Sequence, residues 1–137
     1  MNIERQIAEL LNKNNELDKE YTEKHIRYGK TKYLFIHKDG QLWGAVGVQR
    51  IRYLYTIVKH LVVAPDHRGK GMATALMEMA LNETNTPFAL STVRKDNETS
   101  LHLLGNFEFE KAGAYFKDKH LVILLVKSLH KEELCQE

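Results

Sequence analysis

The spacing of apolar and polar residues changes period several times along the chain, and each change marks an element. Ile3, Ile7, Leu10 and Leu11 recur every three to four residues and predict a helix. Leu17, Tyr21, Lys24 and Tyr28 continue that spacing on a second helix, with Asn12, Asn14 and Asn15 breaking the pattern between the two. Residues 1–30 therefore read as a helical region able to cover one face of a sheet. Tyr33 to His37 is short, apolar and rich in β-formers. The Asp39-Gly40 pair that follows is a hairpin signal, and Leu42 to Arg50 is the returning strand. Within it, Gly44 and Gly47 suggest a bulge or a close backbone approach. A third strand is expected over Arg52 to Ala64, stopped by Pro65.

Helical spacing returns after Pro65. Thr74, Glu78 and Asn82 form a polar stripe, with Met72, Ala75, Leu76, Met79 and Ala80 on the opposite face. Phe88 to Val93 is a strand, and the strand-helix-strand order implies that it runs parallel to its predecessor. A short helix is expected from Asn97, capped by Asn97 or Asp96 and closed at Gly105 or Asn106. Phe107 to Phe116 and Leu121 to Val126 form two more strands around Lys117-Asp118-Lys119, and residues 127–137 read as a polar tail. These elements make one α/β domain over residues 1–137, a mixed and mostly antiparallel sheet flanked by helices. Its ligand site is expected in the crevice beyond the ends of the parallel strands.

Composition narrows the class without naming it. Hydrophobic residues make up 43% and charged residues 28% of 137, as in ordinary globular domains. A net charge of +2 is too small to argue for nucleic acid or an anionic membrane as a partner. The single cysteine, Cys135, permits no intrachain disulfide, and the histidines show no metal-ligand spacing. With no apolar signal core and no membrane-length segment, a cytoplasmic protein without a metal is expected. Oligomeric state is open, with a homodimer as one option.

The chemistry concentrates at Leu61 to Ala73. An apolar strand ends at Val62-Val63-Ala64-Pro65, a glycine turn follows, and a helix is expected to open at Gly69 or Lys70. Free N–H groups at a helix start, with the positive end of its dipole, suit a phosphate or diphosphate, and Arg68 and Lys70 add charge. Neither a Walker loop nor a G-x-G-x-x-G/A fingerprint is present, since Thr74 occupies the last slot of the latter. Arg68-Gly69-Lys70-Gly71-Met72-Ala73 does match Q/R-x-x-G-x-G/A in full.

In that pattern, and in Asn97 and Ser100 further on, the chain resembles the GNAT family of N-acetyltransferases over roughly Tyr33 to Val126. The resemblance implies an acyl-CoA N-acyltransferase fold lacking its first strand. It implies that the N–H groups of residues 68–73 grip the diphosphate of acetyl-CoA and that the backbone of Val62 and Val63 pairs with the pantetheine arm. It also implies that Asn97 faces that arm, beside its possible role as a cap. The acceptor would be a primary amine on a small molecule or peptide, with the link and second N-terminal helix forming one wall of its site. Many members carry a tyrosine acid where this chain has Leu104, and Glu108 stands where a glycine is common. Candidate acids or bases are then His60 and Tyr55, which strand alternation puts on opposite faces unless a bulge intervenes. The competing expectation is a catalytically inactive acyl-CoA-binding or regulatory domain of the same fold.

Overall fold

The computed structural model describes residues 2–129 apart from Glu16 and Asp18. Cys135 and most of the polar tail lie outside the described residues. The elements, in order, are α1 (Ile3–Asn14), α2 (Glu23–Tyr28), β1 (Lys32–Lys38), β2 (Gln41–Arg50), β3 (Tyr55–Val63), a 3₁₀ turn (Pro65–His67), α3 (Met72–Glu83), β4 (Phe88–Arg94), α4 (Glu98–Asn106), β5 (Glu110–Lys117) and β6 (His120–Ser128). The strands follow the order β1-β2-β3-β4-β6-β5. β3 and β4 pair in parallel through Tyr55–Ile57 and Phe88–Leu90, as the strand-helix-strand order requires. The described pairs β1–β2, β4–β6 and β5–β6 are antiparallel. No helix among the described residues is long and apolar enough to cross a membrane.

The chain divides into two compact units. The first comprises residues 1–49 and 58–83. Ile7, Ala8 and Leu11 of α1 and Ile26 of α2 pack on Leu42, Ala45 and Val62. The two helices are also held by Arg27, whose guanidinium meets Glu4 at 2.9 Å and Glu23 at 3.2 Å. β2 is apolar along most of its length because it is covered on both faces. Its Ala45 faces α1, while a Cβ on the neighbouring Gly44 would come within 2.7 Å of Leu76 Cδ1 in α3 and 2.9 Å of the Val62 carbonyl. Gly44 thus sets how closely α3 approaches the sheet. The expected irregularity is present: Ile36 pairs with Gly44 and His37 with Leu42, so Trp43 is an extra residue on β2.

The second unit comprises residues 50–57 and 84–137. Its core contains Ala89, Val93, Leu104, Phe109, Val122, Ile123 and Leu125. Buried Thr56 and Thr86 share a hydrogen bond of 2.8 Å, and Thr86 Oγ1 also lies 2.9 Å from the Phe88 carbonyl, so neither hydroxyl is orphaned.

Several expected boundaries move. The second helix starts at Glu23, because Thr22 and His25 form a capping box there; Leu17 and Tyr21 precede it. β3 starts at Tyr55, since the Ile51 and Arg52 N–H groups fold back onto the Tyr55 carbonyl and make residues 51–54 a turn. α3 starts at Met72 and buries Met77 with Leu76 and Ala80. Residues 107–109 leave α4 through a left-handed Glu108, so β5 begins at Glu110. β6 extends through Ser128, two residues beyond the expected end, because its pairing with β4 continues to Phe88.

Candidate active site

Gly69 and Gly71 have φ of +77° and +80°, in the left-handed region where a side chain is strained. These two residues, rather than an early helix start, shape the turn; a helix cannot pass through them, which is why α3 opens after Gly71. The Gly71 carbonyl accepts the Ala75 N–H at 3.0 Å. The N–H groups of Met72, Ala73 and Thr74 lie ahead of that bond and have no backbone acceptor among the described residues. A Cβ at either glycine would meet nothing within 4 Å. The turn therefore presents unpaired amides, at the positive end of a twelve-residue helix, to open space.

Arg68 has a different part from the one its charge suggests. Its Nε donates to the Val63 carbonyl at 3.1 Å and its Nη2 to Asn14 Oδ1 at 3.2 Å, which ties the turn to β3 and to the end of α1. Lys70 keeps its ammonium 5.9 Å from the Trp43 ring, on which His67 stacks at 4.1 Å and 13°. The bulge residue Trp43 thus stands beside the turn, a placement that periodicity could not reveal. Of the asparagines read from sequence as breakers, Asn12 and Asn14 lie inside α1 and Asn15 caps its end; Asn12 and Asn15 are also tethers. Asn12 exchanges bonds of 2.8 and 2.9 Å with the Tyr21 backbone, and Asn15 Nδ2 donates to the Leu61 carbonyl at 3.3 Å.

His60 lies within β3 with φ +57°, a left-handed conformation inside a strand. Its Nδ1 is 2.7 Å from the Tyr33 hydroxyl, and its ring sits edge-on to Tyr21 at 5.0 Å. Burial, together with the nearby charges of Lys59 and Lys19, pushes its pKa down to about 4, so the ring is neutral at pH 7. Burial raises the Tyr33 hydroxyl above the ordinary phenol range. Burial and Lys19 lower Lys59, whose ammonium is 2.9 Å from Gln49 Oε1. Tyr55, the other candidate, lies at the first position of β3 and stacks on Phe88 at 5.6 Å. Sequence reasoning placed Tyr33 in a strand and missed its bond to His60, which joins residues 27 positions apart.

In the second unit, Asn97 caps α4, its side chain accepting the Ser100 N–H at 3.1 Å. Leu104 is buried at 2% exposure, so no acid stands at that position. Glu108 has φ +66°, the conformation for which glycine would be the easier residue. Among the described residues, no group of three or more His, Cys, Asp or Glu could hold a metal.

Residues 4–126 match the acetyltransferase (GNAT) domain family. A search of curated proteins found no match. Solved structures of the same fold include mutant forms of the spermidine/spermine N-acetyltransferase SpeG from Vibrio cholerae. That structure is 22% identical, covering 98% of this chain and 92% of that one, with a TM-score of 0.76. The ribosomal-protein-S18-alanine N-acetyltransferase from Escherichia coli is 15% identical, with 94% and 90% covered and a TM-score of 0.75. A GNAT family acetyltransferase from Elizabethkingia anophelis, solved with acetyl-CoA bound, is 12% identical, with 73% and 77% covered and a TM-score of 0.65. With the family model spanning nearly the whole described chain, this protein belongs to the GNAT acetyltransferase family.

Proposed function

We propose that this protein transfers the acetyl group of acetyl-CoA to a primary amine by direct attack, without a covalent enzyme intermediate. The observation that carries the reading is the turn at Gly69 and Gly71. Two left-handed glycines and a row of unpaired N–H groups border open space, as a diphosphate seat requires. In this reading residues 68–73 hold the diphosphate. Arg68 holds the turn in shape, and Lys70 supplies the less constrained positive charge. The Val63 carbonyl is already engaged by Arg68, so pairing with the pantetheine arm falls to the remaining backbone groups of Val62 and Val63.

The amine must reach the thioester neutral, and a lysine-like amine has a reference pKa of about 10.4. The tetrahedral intermediate carries an oxyanion, which a backbone N–H of the Val62-Val63 segment would stabilise. His60 is the candidate that meets the amine proton. The acceptor is an amine on a small molecule or a peptide.

Calorimetry with acetyl-CoA, followed by a CoA-release assay over a panel of amines, tests the reading. Binding followed by amine-dependent release of the thiol is expected. Buried Leu104, at the position of the usual acid, supports a second reading as an acyl-CoA-binding regulatory domain. Tight binding with no release for any amine would favour that one.

A further inference from the structure

The contact between Tyr33 and His60 spans three strands. Tyr33 is on β1 and pairs with Gly47 of β2, and His60 is on β3. A Cβ at Gly47 would fall 3.2 Å from Tyr33 Cε1, 2.7 Å from Thr31 Cγ2 and 3.3 Å from the Lys59 carbonyl. The middle strand is thus bare where the phenol ring has to cross it. On the far side, His60 is the residue of β3 with a positive φ. A non-glycine residue at positive φ inside a strand is costly, by roughly 1–3 kcal/mol, and persists where the surroundings hold it. Clearance on β2, the left-handed His60 on β3 and the 2.7 Å contact all serve one arrangement.

That arrangement has a chemical consequence. Nδ1 is committed to the Tyr33 oxygen, so Nε2 is the nitrogen left for other work. When Nδ1 carries the proton and donates to Tyr33 Oη, Nε2 is a proton acceptor and the phenol O–H is free to donate elsewhere. When the phenol donates to Nδ1, Nε2 carries the proton. A proton entering at one end therefore releases another at the far end, and the imidazole never has to become an imidazolium. The low basicity of His60 forbids storage of a proton on the ring at pH 7 and is compatible with such passage.

We propose that Tyr33 and His60 act as one proton-transfer unit in acetyl transfer, replacing the acid that Leu104 cannot supply. The inference rests on the acetyltransferase reading above. The amine nitrogen forms a bond to the acetyl carbonyl carbon, and the carbon–sulfur bond breaks with its electron pair left on sulfur. The amine gives one proton to His60 Nε2, the Nδ1 proton moves to Tyr33 Oη, and the hydroxyl proton of Tyr33 passes to the thiolate. The imidazole ends neutral as its other tautomer and resets by exchange with water before the next cycle.

The test compares wild type with Tyr33→Phe, which removes one oxygen and keeps the ring. Calorimetry with acetyl-CoA should give the same affinity for both, which controls for folding. With the best amine found, kcat of the variant should fall by about 10–100-fold, within the range of a lost acid–base function. The distinguishing readout is kcat in mixtures of light and heavy water. Wild type should show the curved dependence of several protons in flight, and Tyr33→Phe a linear one. Nitrogen-15 spectra of His60 should show a neutral ring with its proton on Nδ1 in wild type, and a shift toward Nε2–H in the variant. Unchanged kcat in Tyr33→Phe overturns the relay while leaving the acetyltransferase reading intact. Binding of acetyl-CoA with no turnover of any amine by wild type overturns that reading, and the relay with it.

Discussion

Gly71 carries two separable burdens. Its φ of +80° charges any L-residue about 1–2 kcal/mol, and the open space in front of it is the proposed seat of an anion. Gly71→Ala and Gly71→Glu share the first penalty, and only the second variant places a carboxylate at the seat. Chemical denaturation should show similar loss of stability in both, whereas calorimetry should show that CoA binding survives in the alanine variant, weakened, and vanishes in the glutamate one. Equal CoA affinity in the glutamate variant and wild type would remove the diphosphate from this turn. His60 offers a second residue-scale test. Its pKa is about 4 in the fold against 6.5 in the unfolded chain. Between those values the unfolded chain binds more protons. Stability from this group is therefore full above pH 6.5 and is lost as pH falls toward 4. The titratable and charged groups facing it are Tyr21, Tyr33, Lys59 and Lys19. After discounting for partial exposure, the effect is roughly 1–2 kcal/mol. Urea denaturation of His60→Gln across pH 4–7 should show a flatter dependence than wild type; parallel curves would contradict the assignment.

At the scale of elements, the first unit is organised by close approaches. Gly44 lets Leu76 of α3 come down onto β2, and a methyl there meets both Leu76 and the Val62 carbonyl. Gly44→Ala should cost about 1–3 kcal/mol, the usual range for overpacking, and appear as a lower Tm. A neutral substitution would mean that α3 shifts without penalty. The end of α1 has a different task. Asn14 binds the Arg68 guanidinium, so Asn14→Ala should weaken CoA binding several-fold through a looser turn, with little loss of stability. Unchanged CoA affinity would show that the turn keeps its shape alone. Such contacts explain what was and was not legible in the sequence. Period and turn chemistry exposed the strands, both hairpin turns and α3, since these signals are local. The asparagines at residues 12, 14 and 15 looked like breakers because their partners lie 9, 54 and 46 positions away. Tyr33 and His60 escaped for the same reason. Boundaries moved where a local hydrogen bond overrode the apolar run, as at Thr22 and Tyr55.

At the scale of the whole molecule, the parallel pairing of β3 with β4 follows from the crossover through α3. That crossover begins at the glycine turn, so the fold delivers a helix start directly after a strand end, the setting in which amides are left over for a ligand. The family pattern at residues 68–73 pointed to this turn before any coordinates, because the left-handed conformation at Gly69 and Gly71 favours glycine. What no pattern carries is which part of the ligand supplies the affinity. Calorimetric titration with acetyl-CoA and with acetyl-pantetheine, which lacks the nucleotide and its diphosphate, measures that directly. Acetyl-CoA is expected to bind at least about 100-fold tighter, or near 2.7 kcal/mol. Equal affinity for the two would contradict it, because the turn would then hold nothing of the diphosphate.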